Sequence, residues 1–126
     1  MIRTSMKNKT TTELLNKPLN TGIYLVRIML EQRGNITAQS LSEAAGISIS
    51  NTEQLLRILR NSKIIESRRG PNGGYTVANK NVTVRDIALA FNPGMFDSDV
   101  NKELHACLKE TMGKMKLSEW ENENEL

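Results

Sequence analysis

The chain has 126 residues, enough for one small domain with a modest core and an appended helix. No run approaches the ~18 apolar residues that cross a bilayer, and Met1–Lys7 is not followed by an apolar stretch like a signal peptide, so we expect a cytoplasmic protein. The single cysteine, Cys107, excludes an intrachain disulfide and a cysteine-only metal site within one chain. The single histidine, His105, leaves little for other metal chemistry, and we expect no bound metal or cofactor.

Charge is unevenly distributed along the chain. Between Ser50 and Lys80, six basic side chains stand against two acidic ones, whereas from Asp97 to Leu126 four lysines stand against eight carboxylates. A basic middle favours a nucleic-acid face, from which an acidic end would be held away. The alternative is that both stretches are ordinary solvated surface.

Residues 1–20 are polar and predict a partly disordered extension, with a helical turn near residues 13–16 that Pro18 stops. From Thr21 to Gln32, apolar residues cover a wide arc at helical spacing. This pattern predicts a buried helix closed at Gly34.

Two short helical segments follow. Thr37 is a plausible N-cap for a helix that Gly46 stops, and Ser50 with Glu53 fits the capping-box spacing for the next helix, up to about Asn61. The outer face of this second helix would carry hydrogen-bonding side chains: Ser50, Asn51, Glu53, Gln54 and Arg57. Two helices joined by a tight turn, the second polar on its leading face, are typical of a helix-turn-helix.

The stretch Arg68–Tyr75 predicts a β-hairpin with a basic, glycine-rich tip, because short β-branched or aromatic segments flank it. Gly70, Gly73 and Gly74 permit left-handed backbone or close approach of another backbone. Glycine-rich loops of nucleotide enzymes open a helix, whereas this loop leads into a strand. Added to the preceding helices, the hairpin makes a winged helix-turn-helix in residues 21–92, mostly α with one small β-hairpin. The alternative is that these segments are only the alternating short helices that are common in any small domain.

The end of the chain predicts two more helices. Thr83 caps a helix whose Val84, Ile87, Ala88 and Phe91 face inward. A longer helix runs from about Asp97 to Met115, and its apolar positions step by three and four: Val100, Leu104, Cys107, Leu108, Thr111, Met112 and Met115. A second copy of the chain would cover this stripe, so residues 97–117 predict a dimerisation helix and 118–126 an acidic, frayed tail. Packing of the stripe on its own domain is the alternative.

The residues Ser67–Tyr75, followed by Val82–Ile87, resemble the Rrf-two family of bacterial winged helix-turn-helix transcription regulators. Ile47-Ser48 and Glu53–Leu56 fit as well, and Lys116–Trp120 looks like the family's closing segment. The resemblance implies a homodimer on a palindromic operator, with the helix from about Ser48 in the major groove and the wing at the minor groove.

Cluster-binding members of that family carry three cysteines between the helix after the wing and the dimerisation helix. This chain has the short link Asn92–Phe96 there, so no iron–sulfur cluster is expected.

The sequence therefore predicts a transcription regulator that binds double-stranded DNA and acts as a repressor. It does not identify the effector. Gln54 suits adenine, Arg57 suits guanine or a phosphate, Glu53 suits the cytosine amino group, and Arg69 suits a narrow minor groove. The complete predicted DNA surface comprises Ser48, Ser50, Asn51, Glu53, Gln54, Arg57, Arg60, Arg68, Arg69, Gly70 and Asn72, and the predicted dimer surface comprises Val100, Leu104, Cys107, Leu108, Thr111 and Met115.

A winged-helix module that binds protein rather than DNA is the alternative from another class. An enzyme is disfavoured because the sequence has no paired carboxylates and no Ser-His-Asp arrangement, and His105 and Cys107 fall on different sides of a helix.

Overall fold

The computed structural model describes residues 15–120. Within them the elements follow in this order: α1 Lys17–Glu31, α2 Ala38–Ala45, α3 Ile49–Asn61, β1 Ile65–Arg68, β2 Gly74–Val77, α4 Val84–Phe91, α5 Lys102–Met112 and a 3-10 turn Leu117–Glu119. The prediction of a mostly helical domain with one small hairpin is confirmed.

Helix α1 begins at Lys17, so the prediction that Pro18 stops a helix is wrong. The side-chain oxygen of Asn16 accepts a hydrogen bond from the Leu19 amide at 2.9 Å, which makes Asn16 the N-cap. Proline is tolerated there because the amides of a first helical turn lack intrahelical partners in any case. The polar extension therefore ends earlier than predicted, and residues 13 and 14 of the predicted helical turn lie outside the described residues.

The turn between α2 and α3 confirms two predictions and corrects one. Thr37 caps α2 by accepting from the Ser40 amide, and Gly46 ends that helix in a left-handed conformation at φ 71°. The cap of α3, however, is Ser48, whose Oγ accepts from the Asn51 amide at 3.0 Å. Ser50 already lies inside the helix, so it forms no capping box with Glu53. The turn after Gly46 is short, which leaves Ser48 as the last extended residue.

The hairpin pairs β1 and β2 antiparallel from Ile65 opposite Val77 to Arg68 opposite Gly74. Ile36, just before α2, adds an isolated bridge on the other side of β2, where its amide donates to the Tyr75 carbonyl at 3.0 Å. The wing is thereby joined to the start of the helix-turn-helix.

Helix α4 has the predicted cap at Thr83, which forms a reciprocal capping box with Asp86. It packs closely on α1: a Cβ placed on Gly22 would lie 2.6 Å from the Phe91 ring. Of the four residues predicted to face inward, Val84, Ile87 and Ala88 are buried and Phe91 is half-buried.

Helix α5 is shorter than the predicted span from Asp97 to Met115. Turns closed by the Asn92 and Gly94 carbonyls occupy the residues before it, and Asn101 adopts φ 59°, a left-handed conformation that separates those turns from the helix. The acidic residues Asp97 and Asp99 therefore precede the helix.

After Gly113 the chain returns to its own domain. The Val84 amide donates to the Met115 carbonyl at 3.0 Å, and Leu117 is buried in the core. The Arg27 guanidinium carbon lies 5.5 Å from the centre of the Trp120 ring. Leu117 is thus a core residue rather than the end of a dimerisation helix, and the predicted frayed tail does not begin before Trp120. Residues 121–126 lie outside the described part of the chain.

Candidate nucleic-acid interface

The outward face of α3 is polar. One side of the helix buries Thr52, Leu55, Leu56 and Leu59 in the core. The side opposite carries exposed residues at helical spacing, namely Ser50, Gln54, Arg57 and Asn61. Asn61 was missed in the sequence analysis, although its position four residues after Arg57 places it on the same face.

A second row of α3 faces the wing. A cleft of about 150 Å³ lies between α3 and β2. It is lined by Tyr75 of β2 and by four residues of α3, namely Glu53, Leu56, Arg57 and Arg60. Because one cleft joins the helix to the strand, the polar face of α3 and the wing belong to a continuous surface. Ser48 and Asn51 stand at the amino end of α3, where both are exposed.

The predicted wing residues Arg68, Arg69, Gly70 and Asn72 are all exposed. Arg68 is the last residue of β1, and the others lie in the tip. The tip is tight because the Gly73 amide donates to the Gly70 carbonyl at 2.9 Å, and Gly70 adopts φ 103°. A side chain at Gly73 would collide with the Arg68 carbonyl oxygen, so glycine is required there for close backbone approach.

The wing is fastened to the segment that precedes α2. The Asn35 side-chain amide donates to the Asn72 carbonyl at 2.9 Å, and the bridge between Ile36 and Tyr75 lies next to it. The sequence does not predict that Asn35 and Ile36 anchor the wing, since their partners lie far along the chain and no local pattern marks them. Together they fix the wing tip relative to the helix-turn-helix.

The basic side chains of this surface have no acidic partners within residues 15–120. None of Arg57, Arg60, Arg68 and Arg69 lies within ion-pair distance of a described carboxylate. Their guanidinium groups are therefore available to phosphates or base edges of a nucleic acid.

The predicted dimer surface, which lies on α5 and on Val100 just before that helix, is also exposed in the single chain. The exposed fraction is 69% for Val100, 54% for Leu104 and 43% for Leu108. One member of the predicted stripe, Met112, is half-buried and packs on the core of its own domain, at the edge of the exposed residues. The stripe therefore packs on its own domain only through Met112, and pairing of the exposed members with a second chain stays a prediction.

The remaining predicted dimer residues are Cys107, Thr111 and Met115. All three are exposed, and Met115 lies beyond the end of α5. Burial of Cys107 would therefore require a covering surface from outside the described residues.

Comparison with known proteins agrees with this geometry. Residues 15–123 match the model of the family described as Rrf2: Iron-dependent Transcriptional regulator. The chain belongs to the Rrf2 family of transcriptional regulators. This is the Rrf-two family that the wing sequence resembles.

The curated relatives include the HTH-type transcriptional regulator IscR from two Pectobacterium species. The protein from Pectobacterium carotovorum is 36% identical over 90 residues, which cover 68% of this chain and 51% of the relative. The one from Pectobacterium atrosepticum is 38% identical over the same shares of both chains. The chain thus spans about half the length of these relatives.

Two solved structures share the fold. T. potens IscR superimposes with a TM-score of 0.71 at 24% identity, covering 90% of this chain and 86% of that one. CymR of B. subtilis, described as the global cysteine regulator of that organism, gives a TM-score of 0.69 at 21% identity, covering 87% of this chain and 100% of that one. The winged-helix fold is therefore confirmed.

The family description names iron, but the side chains of this chain do not fit an iron–sulfur cluster held by one protomer. Such clusters are held mainly by several cysteine thiolates, and the sequence has one cysteine, on α5. Within residues 15–120, no group of three or more His, Cys, Asp or Glu side chains is placed to hold a metal ion. No helix in the same residues is both long and apolar enough to span a membrane.

Proposed function

We propose that this protein is a cytoplasmic, homodimeric repressor that binds a palindromic site in double-stranded DNA. Helix α3 enters the major groove, and the wing tip, residues 69–73, reaches the adjacent minor groove. The observation that carries this proposal is the continuous surface formed by the polar face of α3 and the anchored wing, with arginines free of ion pairs among the described residues.

The side chains of that surface divide into two chemical groups. Gln54 offers the paired donor and acceptor that adenine requires, Arg57 suits guanine or a phosphate, and Glu53 suits the amino group of cytosine. Charged and short polar groups around them suit phosphate oxygens, which fix the register of the helix without reading sequence. These positioning residues are Ser48, Ser50, Asn51, Arg60 and Arg68.

The wing supplies the minor-groove contact. Arg69 is exposed at a tip that the Asn35 hydrogen bond holds in place, so the backbone that carries its guanidinium has a fixed position. A narrow minor groove has enhanced negative potential that attracts arginine. Gly70 and Asn72 let the backbone of the tip approach the sugar-phosphate chain closely.

The exposed apolar stripe of α5 supports a symmetric dimer. A two-fold dimer uses the same patch on both protomers, and its two recognition helices then read identical half-sites about one or more helical turns apart. A repressor can act by occupying its operator. The DNA-facing surface would bind the operator, and the stripe of α5 would pair the two protomers.

Selection of bound sites from a random duplex pool tests the proposal. We expect a palindromic consensus, with an affinity that falls steeply between 50 and 200 mM salt because phosphate contacts release counterions. Lys102→Ala, which removes a charge on α5, should leave the consensus unchanged. A promoter that overlaps the selected site should be silenced when the protein is added to a transcription reaction.

A protein that enriches no sequence and shows no salt-sensitive retention on duplex would contradict the proposal. That outcome would favour a module that binds another protein through the same surface.

A further inference from the structure

Ile49 is an apolar residue at an exposed position of the polar surface. It is the first residue of α3 and is 40% exposed. In α2, α3, β1 and β2, all within the described part of the chain, it is the one large apolar side chain that is exposed to this degree. Single exposed apolar side chains are common on protein surfaces, so the position of this one, at the leading end of α3, is what bears on its role.

Ile49 lies outside the buried core. It does not belong to the half-buried residues packed against that core either. The cap of α3 is made by Ser48 and the Asn51 amide, without Ile49. A β-branched residue is also a poorer helix former than the straight-chain polar residues that suit an exposed first turn.

The position is one from which a side chain reaches bases. In helix-turn-helix proteins, the amino-terminal residues of the recognition helix contact base edges, and side chains of a helix lean toward its amino end. Ile49 and Glu53 are four residues apart and hence lie on the same side of α3. The apolar group that the major groove offers is the C5-methyl of thymine.

We propose that Ile49 reads a thymine by packing on its methyl group, and that it is thereby a specificity-determining residue; this rests on the proposed DNA-binding function. Four residues of helix advance about 6 Å, which matches roughly two base-pair steps of ~3.4 Å along the duplex. The thymine therefore lies within about two base pairs of the base that Glu53 reads.

The test replaces single thymines of the selected operator by deoxyuridine, which lacks only the methyl group. For wild-type protein, we expect one substitution in each half-site to weaken binding about fourfold, the amount associated with one buried methylene-sized group. Ile49→Ala should bind the thymine and the uracil operators equally. Ile49→Val, which keeps the branched apolar surface, should retain a preference for thymine.

The outcomes separate this inference from the proposed function. Should wild type select an operator in which no uracil substitution matters, or should Ile49→Ala remain as sensitive as wild type, this inference is overturned and DNA binding stands. Should wild type select no sequence at all, both are overturned. A thymine dependence that disappears only in Ile49→Ala, near the base affected by Glu53→Ala, supports the inference.

Discussion

The side-chain amide of Asn35 and the main-chain carbonyl of Asn72 form a hydrogen bond of 2.9 Å between the segment before α2 and the wing tip. The bond joins residues that are 37 positions apart. The wing tip is thereby held against the start of the helix-turn-helix, which also carries α3. In the proposed complex, the position of the wing would therefore depend on a residue that need not touch DNA.

Asn35→Ala should weaken operator binding by about 3- to 10-fold and lower the melting temperature by only roughly a few degrees. A hydrogen bond of this type contributes about 0.5–1.5 kcal/mol, and its loss frees the tip without disturbing the core. Asn20→Ala, an exposed asparagine on α1, is the control and should bind like wild type. Fluorescence anisotropy with the selected operator measures the difference, and equal affinities for both variants would contradict the positioning role.

Two wing glycines should respond differently to substitution by alanine. Gly74 has φ 140°, and a Cβ there would lie 2.6 Å from the Ile36 carbonyl oxygen, so Gly74→Ala combines backbone strain with a clash against main chain. Gly70 has φ 103° but open space around it, so Gly70→Ala adds strain alone, about 1–3 kcal/mol. Chemical denaturation should therefore rank Gly74→Ala as the less stable. The reverse order, or equal stability, would show that the bridge at Ile36 yields easily.

Local patterns predicted the elements of this fold but not the contacts that assemble them. Thr37, Gly46 and Thr83 were identified as caps and stops because capping chemistry acts within four residues. The Ile36 bridge and the return of Leu117 to the core were missed because they depend on pairing distant parts of the chain.

The errors at helix ends have local causes. Pro18 is compatible with either the start or the end of a helix, and only the Asn16 cap decides between them. Ser48 and Ser50 are equally good capping residues in sequence, and the short turn after Gly46 selects the first. The outward face of α3 was predictable since its period of 3.6 residues is independent of tertiary context.

Arg69→Ala should weaken specific binding by ~1–3 kcal/mol while leaving the fold and the oligomeric state intact, because it removes an exposed charge from the wing rather than a core group. The loss should be larger at 50 mM salt than at 200 mM, since a phosphate-rich groove supplies the attraction. Lys102→Ala provides a control for the loss of one positive charge elsewhere. A gel-shift titration that gives Arg69→Ala the affinity of wild type would rule out a groove contact.

Glu53→Ala should relax the base preference more than it lowers total affinity. A carboxylate repels phosphates, so at this exposed position we expect it to exclude wrong bases rather than to hold the duplex. The capping role that would otherwise explain Glu53 does not apply, because Ser48 and the Asn51 amide form the cap. Site selection with the variant measures the change, and a consensus identical to that of wild type would contradict the readout role.

Cys107 provides a chemical probe of the proposed dimer, because its exposure in one chain should disappear when a second chain covers α5. The side chain is exposed and lies between Leu104 and Leu108 on the apolar stripe. At concentrations where sedimentation shows a dimer, a thiol reagent such as Ellman's reagent should react slowly with the wild-type protein. Leu108→Lys places a charge in the stripe, so it should yield monomers that react several times faster. Lys109→Ala, on another side of the helix, should behave like wild type.

The same experiment distinguishes a packing role for Cys107 from a sensing role. A cysteine buried between protomers acts as a small apolar residue, so Cys107→Ala should keep operator binding with at most a modest loss of dimer stability. Mild peroxide should then leave the binding of the wild-type dimer unchanged. Fast labelling of Cys107 in an intact dimer would place it outside the interface. Peroxide-induced loss of operator binding that is absent in Cys107→Ala would make the thiol a redox switch instead.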